Sequence, residues 1–425
     1  MRTFDRRTGA RHHRRANMRL AVLLGLVLLI GCKDFLRVSL PGVVKESSLS
    51  DPSLAPLLVN SAIGDFECAF DNFTFGSSAF SDETQSVSGQ QINREWGGRL
   101  ITPDHTDYVF GTCAANGFGQ YTVIQTARFQ AADMFNRIQA FPDSAVPRKA
   151  LFLATLAAYH GYSYVMLGEQ FCSMAVDGGP LMTPRQVVTR AESIFTSAIT
   201  LAQSAGASAD SIRYMALVGR ARVRLDLGNT AGATADAQLV PVGFRKVATR
   251  DAGLSSRWNK NYWIYNQLQG FTVAPEFRGL TWKGVPDPRV TLINNGVLPQ
   301  YGVVHWVTNK YMSRADPIPI ATWKEAQLII AEAQLGQTAV DIINNLHKLA
   351  GLPAYDPATD GAIMNQVIEE RRRELFLEGG HRLHDLLRFN MTWKTGLDIN
   401  GRPYGTTTCW PLPTVELQGN PNIKR

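Results

Sequence analysis

Asp82 and Glu83 are adjacent carboxylates in this 425-residue chain and suggest a pair for acid-base chemistry. Two carboxylic acids on either side of a scissile bond are what glycoside hydrolysis requires. Adjacent residues usually point apart, however, and no matched acid is identifiable elsewhere in the sequence. Nor does the sequence contain a phosphate-binding P-loop, a dinucleotide fingerprint or a nucleophile elbow. We therefore predict no catalytic residue and no cofactor.

His381 and His384 are three residues apart and lie beside Glu378 and Asp385. Imidazole and carboxylate groups at such spacing could nominally ligate a metal. The order of the residues differs from the His-Glu-x-x-His of zinc hydrolases. The sequence therefore favours a structural role for both histidines, and we predict no metal site.

Aromatic side chains beside polar ones suggest a third kind of chemistry, the recognition of a sugar. The apolar C–H faces of sugars stack on exposed aromatic rings, while amide, carboxylate and guanidinium groups bind the hydroxyls. Residues 241–315 contain eleven aromatics among several prolines and glycines, so we expect ligand contacts there. The candidate ligand-binding residues are Asn93, Arg94, Trp96, Trp258, Tyr262 and Trp263. Simple core burial is the alternative for each tryptophan.

The amino terminus predicts export. Residues 1–31 contain seven arginines and one aspartate, so they carry six of the seven net positive charges of the chain. The uncharged run Leu20–Ile30 is too short to span a bilayer and is typical of a secretory signal peptide. It ends at Gly31-Cys32, which resembles the bacterial lipobox, so Cys32 is the predicted lipidation site. Without this segment the charge is close to neutral, which argues against a nucleic-acid partner.

Four further cysteines are then available in an oxidising compartment. Cys68, Cys113, Cys172 and Cys409 have spacings that match no zinc motif. We expect two structural disulfides, with three possible connectivities. A local pairing of Cys68 with Cys113 is attractive, although the sequence does not establish it.

Helices must position these residues. Apolar residues recur every three or four positions, and a possible first helix covers 54–66. The further predicted helices cover 122–138, 151–165, 187–202, 212–223, 231–239, 323–335, 340–350, 362–378 and 381–389. Thr183-Pro184-Arg185-Gln186 forms a capping box, and Asp210 is a candidate N-cap. Consecutive helices of this kind suggest tetratricopeptide-like pairs.

Several sequence blocks, in order along the chain, resemble the RagB/SusD family, a family of outer-membrane lipoproteins of nutrient uptake. The C-terminal block is the most specific, because it combines an Arg/Glu-rich helix with a second short motif. The blocks are Cys32-Lys33-Asp34-Phe35-Leu36 with Pro41-Gly42-Val43, Asp287-Pro288-Arg289, Glu325 to Ala333, Glu370 to Gly379, and Asp385-Leu386-Leu387-Arg388.

The resemblance implies a mainly α fold, in which tetratricopeptide-like helix pairs form a right-handed helical scaffold. Long loop-rich insertions would bind the ligand, and strands would be few and short. The implied protein is not an enzyme. It is anchored by lipid in the outer membrane, faces the cell surface, and binds an oligosaccharide or, in some relatives, a peptide. It passes this ligand to a SusC-like TonB-dependent transporter.

Five segments follow from the patterns. They are the signal peptide 1–31, a loop-rich segment 32–121, tetratricopeptide-like helices 122–240, the aromatic-rich region 241–315 and a C-terminal helical region 316–425. The main alternative function is an exported lipoprotein scaffold that binds protein partners, and a glycoside hydrolase is the second alternative.

Overall fold

The computed structural model describes residues 49–300 and 302–424. The predicted signal peptide, the lipidation site Cys32 and the first block of the family resemblance therefore lie outside the described residues. From Asp51 onward the chain forms one compact unit.

Helices make up most of the regular structure. They are α1 (Ala55–Phe80), α2 (Gln91–Gly97), α3 (Thr106–Phe110), α4 (Tyr121–Ala140), α5 (Lys149–Gln170), α6 (Pro184–Ala205), α7 (Asp210–Asp226), α8 (Thr230–Ala237), α9 (Trp323–Gln334), α10 (Gly336–Leu349), α11 (Ile363–Glu374), α12 (His381–Arg388) and α13 (Thr414–Gly419). A π-helical segment, Asn261–Gln267, interrupts the aromatic-rich region.

The strands are short and pair two by two in antiparallel fashion: β1 with β3, β2 with β8, β4 with β5 and β6 with β7. Their bounds are β1 (Thr84–Ser86), β2 (Arg245–Ala248), β3 (Phe271–Val273), β4 (Thr281–Trp282), β5 (Val285–Pro286), β6 (Leu292–Asn294), β7 (Trp306–Thr308) and β8 (Ile318–Thr322). The mainly helical fold with few short strands is therefore confirmed.

The helices predicted from apolar periodicity are confirmed from α4 to α12, with ends shifted by a few residues. The first helix is much longer than predicted and continues from residue 66 to Phe80. Residues 69–80 are buried on every side, so they show no amphipathic stripe. Asp210 is the first residue of α7 and does not cap it. The tail after Asn390, in which no helix was predicted, contains α13.

Helices that are neighbours in sequence pack side by side from α4 to α9, and α10 follows on α9. The predicted capping box starts α6. The Thr183 hydroxyl accepts the Gln186 backbone N–H at 3.3 Å, and the Gln186 side chain accepts the Thr183 N–H at 2.8 Å. Such local signals set where each helix of the layer begins.

Phe195 of α6 fills the space where α5 and α7 approach it. A Cβ added to Gly161 of α5 would lie 2.6 Å from this ring, and one added to Gly219 of α7 would overlap it as well. Glycine at both positions therefore lets three helices close around one buried phenylalanine.

A large aromatic core lies beneath α1 and α5. Trp410 stands nearly perpendicular to Trp96, Phe73 and Phe171, with ring centroids 5.4 to 5.7 Å apart. Among the described residues, α5 is the one helix whose length and composition would allow it to cross a membrane, and most of its residues are buried inside the fold.

Candidate functional site

The first group of predicted ligand residues lies in the core. Trp96 has no exposed surface, and its ring contacts Trp410 and Phe118. Asn93 is also buried, and Arg94 is half-buried on the same helix, α2. Because a sugar must reach the face of an aromatic ring, Trp96 cannot serve as a stacking platform in this structure. The prediction for Trp96 is corrected to a core role.

The second group lies at the surface, in the segment that leads into the π-helical turn. Asn259 organises this segment: its backbone N–H donates to the Arg314 carbonyl at 2.8 Å, and its side-chain amide donates to the Asp316 carbonyl at 2.8 Å. Its side-chain oxygen accepts the Tyr262 backbone N–H at 3.1 Å. The chain before and after Asn259 is thereby fixed against residues 314–316.

Trp258 and Trp263 form a pair of half-buried indoles, which we call the indole pair. Their ring centroids are 4.6 Å apart, and the ring planes are inclined by 58°. The guanidinium carbon of Arg314 lies 3.8 Å from the centroid of Trp258 and 4.6 Å from that of Trp263. A cation stacked on both rings holds them in this arrangement through cation–π attraction.

Each indole N–H has a partner. Trp258 Nε1 donates to the Ala252 carbonyl at 2.9 Å, and Trp263 Nε1 donates to Asn116 Oδ1 at 3.0 Å. Tyr262 is half-buried and packs against the core. The structure thus brings together Trp258, Trp263, Arg314 and Asn116, which is a set of aromatic faces edged by hydrogen-bonding groups.

The Asp82 and Glu83 carboxylates are occupied by the fold. Asp82 binds Arg382 through two hydrogen bonds of 2.7 and 2.6 Å. Glu83 accepts the Leu377 backbone N–H at 2.8 Å, and burial raises its pKa to about 8. The cavity beside Asp82 measures about 10 Å³, which is room for one water molecule at most. Both residues have structural roles here.

The histidines belong to a buried ionic network. His384 Nε2 lies 2.9 Å from Asp226 Oδ1; burial opposes protonation of this histidine, but the carboxylates of Asp226 and Glu169 raise its pKa. Potential metal-ligand atoms of Glu169, Asp226 and His384 lie within 4.8 Å of one another. Arg222, however, pairs with both carboxylate oxygens of Glu169. The positive charge of Arg222 would repel a metal ion bound to Glu169, and its hydrogen bonds already occupy both oxygens of that carboxylate.

The Arg/Glu-rich block is a structural cluster. Arg371 Nε donates to Asp385 at 2.9 Å. The Asp287-Pro288-Arg289 motif joins the same region: Arg373 donates to Asp287 at 3.0 Å, and Arg289 lies against Glu370 at 2.5 Å. These motifs hold the C-terminal helices to the aromatic-rich region and do not reach the indole pair.

The described residues contain two disulfides. Cys68 of α1 is joined to Cys113 in the loop before α4, and Cys172 after α5 is joined to Cys409 in the C-terminal tail. The first bridge lies in the loop that also carries Asn116.

The C-terminal part of the chain matches a known sequence family. Residues 325–425 match the model of the SusD family. This segment begins in α9, runs to the end of the chain and includes the Arg371–Asp385 pair.

Solved structures share the fold. A SusD-like carbohydrate binding protein from Bacteroides vulgatus superposes with a TM-score of 0.68 at 13% identity, over 88% of this chain and 97% of its own. A SusD superfamily protein from the same organism gives 0.65 at 13%, over 88% and 98%. A laminarin binding SusD-like protein gives 0.62 at 17%, again over 88% and 98%. The chain therefore shares the fold of these SusD-like structures, and its residues 325–425 match the SusD family model. No curated protein sequence matches it.

The indole pair lies outside the matched segment 325–425. Sequence reasoning found Trp258 and Trp263 but missed their two partners, Arg314 and Asn116. Asn116 had one usable signal, since it lies three residues after Cys113 in a loop expected to be stapled. Arg314 had none, because its position over the rings depends on contacts between distant parts of the chain.

Proposed function

We propose that this chain is a SusD-family protein, a non-catalytic protein that binds an oligosaccharide at the cell surface. The indole pair with Arg314 carries the proposal. Two inclined aromatic faces can stack on the apolar faces of sugar rings, and the guanidinium and the Asn116 amide can bind hydroxyl groups. A relative with the same fold is described as laminarin binding, which supports a glycan as the ligand class.

The ligand test is a glycan and peptide array with the full chain, followed by affinity measurements on the best glycan. Replacing Trp258→Ala or Trp263→Ala should weaken binding by at least about tenfold, as expected for a central aromatic contact. The matched control is Trp282→Ala, since Trp282 is also half-buried but packs beside His347 and Tyr355. Full affinity in both indole variants would show that the site is elsewhere.

The proposal also includes an anchor and a partner. Lipid on Cys32 would hold the protein in the outer membrane, and a SusC-like TonB-dependent transporter would receive the glycan. In cells fed radiolabelled palmitate, Cys32→Ala should abolish labelling and release the protein from membranes. Co-purification of the intact protein with a TonB-dependent transporter supports delivery. Capture of other proteins, with no glycan bound on the array, would favour the scaffold alternative.

Absence of catalysis is tested on the same glycan. Prolonged incubation with saturating protein should leave the chain length of the oligosaccharide unchanged. Shortened products that persist in the Trp282→Ala control and vanish in Glu83→Gln would instead indicate hydrolysis by the carboxylate pair.

A further inference from the structure

Lys260 is a buried cation directly beside the indole pair in sequence. Its side chain is 1% exposed. Its ammonium group donates to Gly117 O at 2.6 Å and to the side-chain oxygen of Asn72 on α1. Its backbone N–H donates to Asp71 Oδ1 at 3.0 Å. One residue therefore connects α1, the segment of the indole pair and the loop that contains Gly117.

That loop, residues 111–119, is attached to α1 at both ends. The Asn72 amide donates to Thr112 O at 3.1 Å and to Gly119 O at 2.6 Å, and the Cys68–Cys113 disulfide lies next to the first of these contacts. Between the two ends the chain turns through residues that are alternately exposed and half-buried. Lys260 holds this turn at Gly117, the residue that directly follows Asn116.

Asn116 itself is exposed, and its side chain accepts the Trp263 indole N–H at 3.0 Å. We propose that Lys260 is a positioning residue, which fixes Gly117 so that Asn116 reaches Trp263 and sets the orientation of that indole. The inference rests on the proposed function only in treating Trp263 as a residue that contacts the ligand.

The surrounding groups set the protonation of Lys260. Burial lowers the pKa of Lys260 to about 8, which Asp71 opposes and Arg250 reinforces. Asp71 is itself paired with Arg250 at 3.4 Å, and burial raises its pKa. Because the buried lysine loses its proton more readily than an exposed one, alkaline pH favours the buried arrangement. The neutral amine still has N–H groups that can donate to Gly117 O, so the Asn116–Trp263 contact should persist from pH 7 to pH 9.

The experiment measures the solvent exchange of the tryptophan indole N–H groups by NMR in the full chain, without any ligand. In Lys260→Met, exchange of the Trp263 N–H should become about fivefold faster, the factor that corresponds to one hydrogen bond. Exchange of the Trp258 N–H, bonded to Ala252, should stay unchanged. The control is Lys149→Met, which removes a partly buried lysine that also donates to a backbone carbonyl, Phe141 O.

Asn116→Ala provides the decisive comparison. If Lys260 acts through Asn116, the variant Asn116→Ala should accelerate the same N–H, and the double variant should be no faster than Asn116→Ala alone. Additive effects in the double variant, equal acceleration at Trp258, or unchanged exchange in a folded Lys260→Met would each overturn the inference. Because no glycan is used, these outcomes are separate from a failure of the proposed function, which would appear only on the array.

Discussion

Glu83 is a carboxyl group whose protonation should govern the pH dependence of stability. It is 3% exposed, and its side-chain oxygen accepts a hydrogen bond from the backbone N–H of Leu377, a residue with a positive φ of 55°. Burial raises the pKa of Glu83 to about 8, well above its ordinary value of 4.5. The folded state therefore binds the extra proton between these pH values. The contribution of Glu83 to the free energy of unfolding is complete below pH 4.5 and is lost as the pH rises through 8.

Glu83→Gln should remove this loss, since the amide keeps an acceptor for the Leu377 N–H and does not ionise. We expect nearly equal free energies of unfolding at pH 5, and a variant more stable than wild type by a few kcal/mol, as an order of magnitude, at pH 8. Urea denaturation at pH 5, 6.5 and 8 measures both. Glu325 also titrates in this pH range, because burial raises its pKa to about 7. The effect of Glu83 is therefore the difference in the free energy of unfolding between wild type and variant at each pH. Parallel pH curves for the two proteins would refute the assignment.

At the scale of helices, the contact of α5, α6 and α7 around Phe195 depends on two glycines, Gly161 and Gly219, which have no side chain to keep the helices apart. A methyl group on Gly219 would overlap the Phe195 ring, which is fully buried. Gly219→Ala should lower the free energy of unfolding by about 1–3 kcal/mol, the usual cost of overpacking a core. Thermal and urea unfolding measure this loss.

Gly64→Ala is the matched control for that prediction. Gly64 lies inside α1 and has no heavy atom within 4 Å of an added Cβ. The same substitution should therefore raise stability by about 0.5–1 kcal/mol through helix propensity alone. If both alanine variants shift stability in the same direction, the close approach of the three helices does not limit this fold.

Periodicity shows the helices well wherever a helix buries one face and exposes the other. α4 and α6 have such stripes, and the capping box at Thr183 even indicates where α6 begins. The second half of α1 has none, because its residues from 69 to 80 are all buried, and the sequence pattern ends too early. Apolar periodicity predicts a helix when one face is buried and the other is exposed, and it fails when the helix is buried on all faces.

At the scale of the whole molecule, the candidate site joins parts of the chain that no local pattern connects. Asn116 and Trp263 are 147 positions apart in sequence. Arg314 contacts the rings, although the strands β3 to β7 separate it from Trp263 along the chain. Composition predicts where exposed aromatics concentrate, and this identified Trp258 and Trp263. It could not separate them from Trp96, because burial of a tryptophan depends on what packs over it, here Trp410 from the opposite end of the chain.

The two disulfides offer a test of which long-range connections serve stability and which serve the site. The Cys172–Cys409 bridge spans 237 residues and the Cys68–Cys113 bridge spans 45. If loop closure in the unfolded chain dominates, Cys172→Ser/Cys409→Ser should lose about 5.5 kcal/mol of stability and Cys68→Ser/Cys113→Ser about 4 kcal/mol, a difference of about 1.5 kcal/mol.

Glycan affinity should show the opposite order. The Cys68–Cys113 bridge lies in the loop that carries Asn116, so its removal should weaken binding and accelerate exchange of the Trp263 N–H. The Cys172–Cys409 bridge lies beside the backbone contact between Cys172 N–H and Trp410 O at 2.9 Å, so affinity should persist while the protein stays folded. Urea denaturation and glycan titration of both double variants measure the two effects. A loss of affinity that simply follows the loss of stability would show that the loop has no separate role in holding the indole pair.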